Sequence, residues 1–282
     1  LESNSDVAEQ MAADAWGFRR ALFDTPPLRL TIHVRDGAAP SATPAYRSSA
    51  AGFSLVCDSV THASYSIHDH AACLHVSAAA LDQPEWFRHE LLECLVLTAL
   101  DTAYFVGLHA ACVVPPGGKP GLLLCGVSGS GKTTLAYACA RAGWTFVSDD
   151  SHLAKGAGRI VTGSSHTLRL REPARALFPE LCSRPSVIAP NGKPCIEFDA
   201  AESLPVSDSA PVRHCVFLSR RPGPAALRAC REDDAVTYFM QYNTRYDPSE
   251  AVRRIRQLVR RRAWLLEYEH PQDAIEMLGR LP

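Results

Sequence analysis

Between residues 108 and 148 the chain is a series of short, uninterrupted apolar runs set apart by glycine-rich or polar punctuation. Leu108-His109-Ala110-Ala111-Cys112-Val113-Val114 leads through the turn Pro115-Pro116-Gly117-Gly118-Lys119-Pro120 to the run Gly121 to Cys125, in which Leu122, Leu123 and Leu124 show no polar alternation. Apolar runs of this length without a period of two suit strands buried on both faces. The turn between them predicts that the two are neighbours and antiparallel. Thr134-Leu135-Ala136-Tyr137-Ala138-Cys139-Ala140-Arg141 then reads as a helix ending at Ala142-Gly143, and Trp144-Thr145-Phe146-Val147-Ser148 as a further buried strand.

The flanking pattern is less regular. Residues 6 to 23 carry a rough helical stripe of Val7, Met11, Ala12, Trp16, Phe18 and Leu22, closed by Pro26-Pro27. Leu28 to Val34 alternates like a strand and turns at Asp36-Gly37; a Pro, Ser and Ala rich connector runs to about Ala51. Phe53 to Cys57, Ala63 to Ile67 and Ala72 to Val76 are strand-like, so the first 80 residues are expected to form a small antiparallel β region. Residues 84 to 105 give the longest helical pattern of this half, with Pro84 in the first turn and Trp86, Leu91, Leu95, Leu97 and Leu100 toward a core.

Beyond Ser148, the pattern predicts a hairpin of 151–155 and 159–161 about Gly156-Ala157-Gly158. It also predicts a strand Thr167 to Arg171 with Arg169 and Arg171 on one side, and a short helix from Ala174 to Leu181. The segment Pro185 to Pro194, with Asn191-Gly192-Lys193 at its tip, reads as a loop able to cover a site. Strands at 195–198, 212–218, 226–228 and 263–268 continue the sheet. A helix from Pro248 buries Val252, Ile255, Leu258 and Val259 and turns its arginines to solvent, and a helix at 272–281 closes the chain. The expected organisation is an α/β protein with an amino-terminal α+β region at 1–105 and a catalytic domain at 106–282.

Composition narrows the classes. Of 282 residues, 46% are apolar and 21% charged, and 29 Lys and Arg nearly balance 30 Asp and Glu. A chain so nearly neutral carries no general signature for nucleic acid or for a membrane surface. No apolar run approaches the roughly 20 residues of a membrane span. The start Leu1-Glu2-Ser3-Asn4-Ser5-Asp6 is too polar for a signal peptide and lacks Met, so native sequence is expected to begin near Met11. The ten cysteines include no Cys-x-x-Cys pair, which disfavours disulfides and a zinc site and suits buried free thiols in the cytoplasm. His68-x-His70 has chelating spacing, but a turn is expected there and no third ligand is evident.

The chemistry lies at Gly126-Val127-Ser128-Gly129-Ser130-Gly131-Lys132-Thr133, which fills Gly-x-x-x-x-Gly-Lys-[Ser/Thr] between a strand and a helix. Glycines at 126, 129 and 131 let successive backbone N–H groups face one point, and the helix start adds unpaired donors and a positive dipole end. Lys132 would reach the β and γ phosphates, and the Thr133 hydroxyl would ligate Mg²⁺. Nucleotide is thus expected against Gly126, Ser128, Gly129, Ser130, Gly131, Lys132, Thr133 and Thr134, with ATP and Mg²⁺ as cosubstrate and ion. The strand after the helix ends in Asp149-Asp150. Such a pair commonly makes a turn, but ligands of open α/β sheets lie beyond strand carboxyl ends, which puts both acids beside the glycine loop. Arg169 and Arg171 are candidates to neutralise phosphate charge, with Arg171 assigned to the nucleotide.

His109, the loop 126–133 and Val147-Ser148-Asp149-Asp150, only 17 residues past Lys132, together resemble the catalytic domain of bacterial HPr kinase/phosphorylase and its shorter HPr-kinase-like relatives. The resemblance covers about residues 105 to 200. It implies a fold like that of phosphoenolpyruvate carboxykinase with a P-loop kinase core. By the same resemblance Asp149 is the base that takes a serine hydroxyl proton, Asp150 assists or meets the metal together with Thr133, and His109 lies near the phosphate with Lys132. The family's Glu-x-Arg-Gly signature is missing, Glu172 after Arg171 being a loose counterpart, so HPr is not the expected acceptor. Shorter relatives phosphorylate a free amino acid or a ribosomal peptide precursor, as lasso peptide kinases do, and the family tends to form homo-oligomers. The expectation is an ATP-dependent kinase acting on a hydroxyl of a peptide, protein or small molecule. A protein that holds nucleotide without turning it over is the alternative.

Overall fold

The computed structural model describes residues 1–16, 22–40, 42–188, 192–241 and 248–282. Phe18, Asn191 and the side chain of Trp16 fall outside the described parts. The chain divides into two compact units, Leu1–Tyr104 and Phe105–Pro282.

The first unit holds β1 (Glu2–Ser3), α1 (Asp6–Trp16), β2 (Arg29–Arg35), β3 (Ala45–Ser49), β4 (Gly52–Val56), β5 (His62–Ser66) and β6 (Ala71–Ser77). It ends in the helical pieces α2 (Ala78–Leu81), α3 (Pro84–Trp86), a π-helical turn (Phe87–Glu93) and α4 (Cys94–Ala103). The strands make one sheet, ordered β1-β2-β6-β5-β4-β3. Ile32, Leu74, Ala63 and Leu55 turn to one face, where Phe87, Leu91, Leu92, Leu95 and Ala99 cover them. The sheet is not purely antiparallel as expected: β2 pairs with β1 and β6 in parallel. The segment between β2 and β6 is long enough for the crossover that parallel pairing needs. Ala45–Ser49, read as connector, is an edge strand hydrogen-bonded to β4 and largely exposed, so it carries no apolar signal. The expected helix over 84–105 is interrupted by the π turn, which rotates the buried face. Leu97 is consequently 39% exposed, and Leu92 and Ala99 take core positions.

The second unit contains β7 (Phe105–Gly107), β8 (Ala111–Val114), β9 (Gly121–Cys125), α5 (Lys132–Arg141), β10 (Thr145–Ser148), β11 (Ser151–Ala154), β12 (Ile160–Gly163) and β13 (Thr167–Arg171). It continues through β14 (Val187–Ile188), β15 (Pro194–Asp199), β16 (Ser209–Arg220), β17 (Ala226–Ala229), α6 (Glu232–Met240), α7 (Pro248–Val259), β18 (Ala263–Tyr268) and α8 (Pro271–Gly279). Nine strands form a mixed sheet along β10-β8-β9-β16-β12-β11-β7, with β18 joined to β16 and β17 to β18. β9 runs antiparallel to β8 and parallel to β16, and β10 is antiparallel to β8. β9 and β10 therefore end on the same side.

Alternate residues of β9 explain its unbroken apolar run. Leu122 and Leu124 join a core with α5 and α8, while Leu123 and Cys125 join one with α6 and α7. Each fully buried leucine contributes about 1.5–3 kcal/mol, so helices on both faces are what this composition demands. The small sheet β13-β15-β14 packs Leu168, Leu170, Ile196 and Phe198 into the core that holds α5. That packing brings the carboxyl end of β13 to the start of α5.

Several local expectations change. The run 108–114 is a strand only from Ala111, because His109 takes a left-handed conformation at φ 44°. The helix expected at 174–181 is two 3-10 turns, Glu172–Ala176 and Pro179–Ser183, and Val187–Ile188 in the expected loop pairs with β15. Helix α6 was not anticipated. All ten cysteines are free, and among the described residues no helix is long and apolar enough to cross a membrane.

Candidate functional site

The glycine loop leaves β9 at its carboxyl end and enters α5 at Lys132. Gly126, Gly129 and Gly131 adopt φ of 153°, 89° and 95°, in the region that side chains disfavour. At Gly126 a Cβ would also stand 2.4 Å from Ser130 Oγ and 2.9 Å from Ser130 Cβ, so any other residue there forces the turn to shift. Among the described residues, the N–H groups of Lys132 and Thr133 in the first turn find no backbone acceptor. Ser130 Oγ is buried with no partner. Unsatisfied donors converging on a concavity at a helix start are what an oxyanion of phosphate would satisfy.

Lys132 is buried, and its ammonium donates to Gly126 O at 2.7 Å, Val127 O at 3.3 Å and His109 Nε2 at 3.3 Å. Because Nε2 faces a cation it is the accepting nitrogen, which places the ring proton on Nδ1. That Nδ1 lies 3.7 Å from Asp150 Oδ1, so one imidazole stands between the lysine and the second acid. Burial lowers the Lys132 pKa, and the charge of Asp150, more than that of Asp149, works against the fall. Tyr238 of α6 anchors this arrangement: its hydroxyl accepts from Gly126 N at 2.8 Å and lies 2.7 Å from Gly126 O and 3.2 Å from His109 O. It thereby ties the loop's entry to the strained backbone of His109. Sequence reasoning missed Tyr238 together with its helix; the acidic first turn Glu232-Asp233-Asp234, followed by Ala235, Val236 and Phe239, was the available signal.

The two acids differ. Asp150 is exposed; Asp149 is half-buried, and burial, then the charge of Asp150, pushes its pKa up to about 6 against the partial relief given by Arg169. The turn that carries them is pinned by the buried Ser148 and Ser151 hydroxyls, 2.6 Å apart. Gly163 of β12 passes beneath: a Cβ there would stand 2.4 Å from Ser148 Cβ and 2.7 Å from Asp150 O. Gly163→Ala is expected to displace the turn, lowering stability by about 1–3 kcal/mol. Denaturant titration checks this; an unchanged midpoint would show that the turn accommodates the added methyl group.

Of the two arginines, Arg171 reaches the loop, donating to Ser128 Oγ at 3.1 Å. Arg169 pairs with Glu197 at 2.5 Å and adjoins Asp149 instead. Thr133 and Thr134 occupy the first turn of α5, both half-buried. His109, Lys132 and Arg171 thus contact the loop or one another, whereas Glu172 pairs with Arg175 and Ser186, and His68 and His70 lie in the first unit. The acids and His109 do not close into a three-member ligand cluster. A hydroxyl and a carboxylate are donors of the kind Mg²⁺ accepts, completing its shell with water and phosphate oxygens; the residues that could supply them are Thr133 and Asp150.

No family model matches the chain, and no curated protein matches it. Among solved structures, that of the Hpr(Ser) kinase/phosphatase from Coxiella burnetii is similar over 62% of this chain and 95% of that one, at 13% identity and a TM-score of 0.31. At that score the likeness carries no argument, and the functional reading rests on the loop and its neighbours.

Proposed function

We propose that this protein is a kinase with a phosphoenolpyruvate-carboxykinase-like P-loop core, transferring the γ phosphate of ATP to a hydroxyl, most simply a serine of a peptide or protein. The observation that carries the reading is the convergence of a glycine loop, Lys132 and Arg171 with an acid whose pKa burial raises toward neutrality. Loop amides and the helix start bind the phosphates, and Lys132 exchanges its bonds to Gly126 O, Val127 O and His109 for bonds to phosphate oxygens. Arg171, bonded to Ser128 of the loop, adds further positive charge. Magnesium held by Thr133 and Asp150 supplies further neutralisation of the triphosphate. Asp149 accepts the acceptor's hydroxyl proton as its oxygen attacks; a carboxylate with pKa about 6 is a stronger base than an ordinary one yet still ionised at neutral pH. His109 stands between Lys132 and Asp150, accepting from the lysine on Nε2 with Nδ1 3.7 Å from the acid. Free thiols throughout fit a reducing cytoplasm.

The test is transfer of label from γ-labelled ATP to candidate peptides and to free serine. The single-turnover rate is expected to rise with pH as Asp149 ionises, half-maximal near pH 6 and level above about pH 7. A rate flat or falling between about pH 4.5 and 6.5 would remove Asp149 as the base. ATP binding without transfer to any hydroxyl would leave only a nucleotide-holding protein.

A further inference from the structure

The polar face of the six-stranded sheet in the first unit carries a cluster unconnected with the glycine loop. β2, β6 and β5 lie side by side, with His33 opposite His75 and His75 opposite His62. Side chains alternate across a sheet. Ile32, Leu74 and Ala63 are turned into the core, so His33, Cys73, His75 and His62 share the other face. The rings of His33 and His75 stack with centroids 4.9 Å apart, and those of His75 and His62 with centroids 4.7 Å apart. Cys73, two residues before His75 on the same strand, brings Sγ to 3.4 Å from His75 Nε2. One donor atom from each of His33, Cys73 and His75 lies within 4.8 Å of the other two, and among the described residues no other such group of His, Cys, Asp or Glu forms.

We propose that His33, Cys73 and His75 bind a thiophilic divalent cation of the zinc class. Bonds of about 2.0–2.1 Å to nitrogen and 2.3 Å to sulfur hold tetrahedral donors roughly 3.3–3.7 Å apart. The Cys73 to His75 separation of 3.4 Å already matches. The third donor closes by side-chain rotation on a half-buried surface, with no change of strand register. Sulfur and imidazole without a carboxylate favour zinc-class ions over Mg²⁺ or Ca²⁺.

A second observation points the same way. His75 Nδ1 is buried with no hydrogen-bond partner while Nε2 faces sulfur. Apart from the contact with Cys73 this ring has no hydrogen-bond partner in the protein, so a cation taking Nε2 displaces no other bond. Binding converts the Cys73 thiol to thiolate, its proton passing to solvent, and leaves the fourth position to water. The ion would tie β2 to β6 across their parallel seam.

The experiment strips the full chain with a chelator and titrates it with Co²⁺, then Zn²⁺. One equivalent of Co²⁺ is expected to give a thiolate-to-cobalt charge-transfer band and strong tetrahedral visible bands, both abolished by Zn²⁺. Cys73→Ser should lose the charge-transfer band, and His33→Ala should weaken binding at least ~100-fold. His68→Ala, on the neighbouring exposed turn, should behave as wild type. No such band in the folded wild-type chain overturns the assignment, as does a band that survives Cys73→Ser or an affinity unaltered by His33→Ala. Because the wild-type spectrum must itself show the band, a variant that fails to fold does not shelter the proposal.

Discussion

Asp149→Asn is expected to cut phosphoryl transfer by about a thousandfold while leaving MgATP affinity within about threefold, since it removes a proton acceptor and not a phosphate contact. The same substitution should make the nucleotide-free protein more stable. The folded state raises the Asp149 pKa from 3.8 to about 6, so folding favours the protonated acid. Stability from this group is present below the lower value, falls as pH rises through the window, and is gone above about 6. At neutral pH the fold bears the full cost of a desolvated carboxylate beside Asp150. A neutral Asn of the same shape relieves that cost by about 1–3 kcal/mol. Paired kinetic and denaturation measurements decide: transfer that survives, or stability that drops, contradicts the assignment of Asp149.

Lys132→Met should weaken MgATP binding at least ~100-fold and bring transfer below detection, because the buried ammonium is the cation nearest the loop's centre. The cost to folding should stay small. Gly126 O keeps the Tyr238 hydroxyl, and an apolar chain of similar length fills a site that already desolvates the lysine. Calorimetric titration with MgATP checks this; affinity within threefold of wild type would place the nucleotide away from Lys132.

What could be read from the sequence follows from which signals are local. Leu122 to Leu124, Phe146 and Val147 were legible as buried strands because helices cover both faces, leaving no polar position to confuse the period. The loop was legible because each glycine answers a backbone need at its own position. His109's left-handed turn was not, since nothing about a histidine announces positive φ, and without it the lysine–histidine–Asp150 line could not be foreseen. Tyr238 went unread with its helix, although the acids Glu232-Asp233-Asp234 at its start suit the helix dipole. The metal-like spacing of His68-x-His70 drew attention to an exposed turn. Cys73 and His75 meet His33 through parallel pairing across 40 residues, which no short pattern records.

The central claim, that the glycine loop, Lys132 and the two acids converge on one magnesium triphosphate, is tested most directly by determining the structure of the chain with Mg²⁺ and a non-hydrolysable ATP analogue. The account predicts phosphates on the loop amides with Lys132 turned onto them, the ion between Thr133 and Asp150, and Asp149 facing the terminal phosphate. An analogue bound elsewhere, or an ion that neither acid approaches, would contradict it.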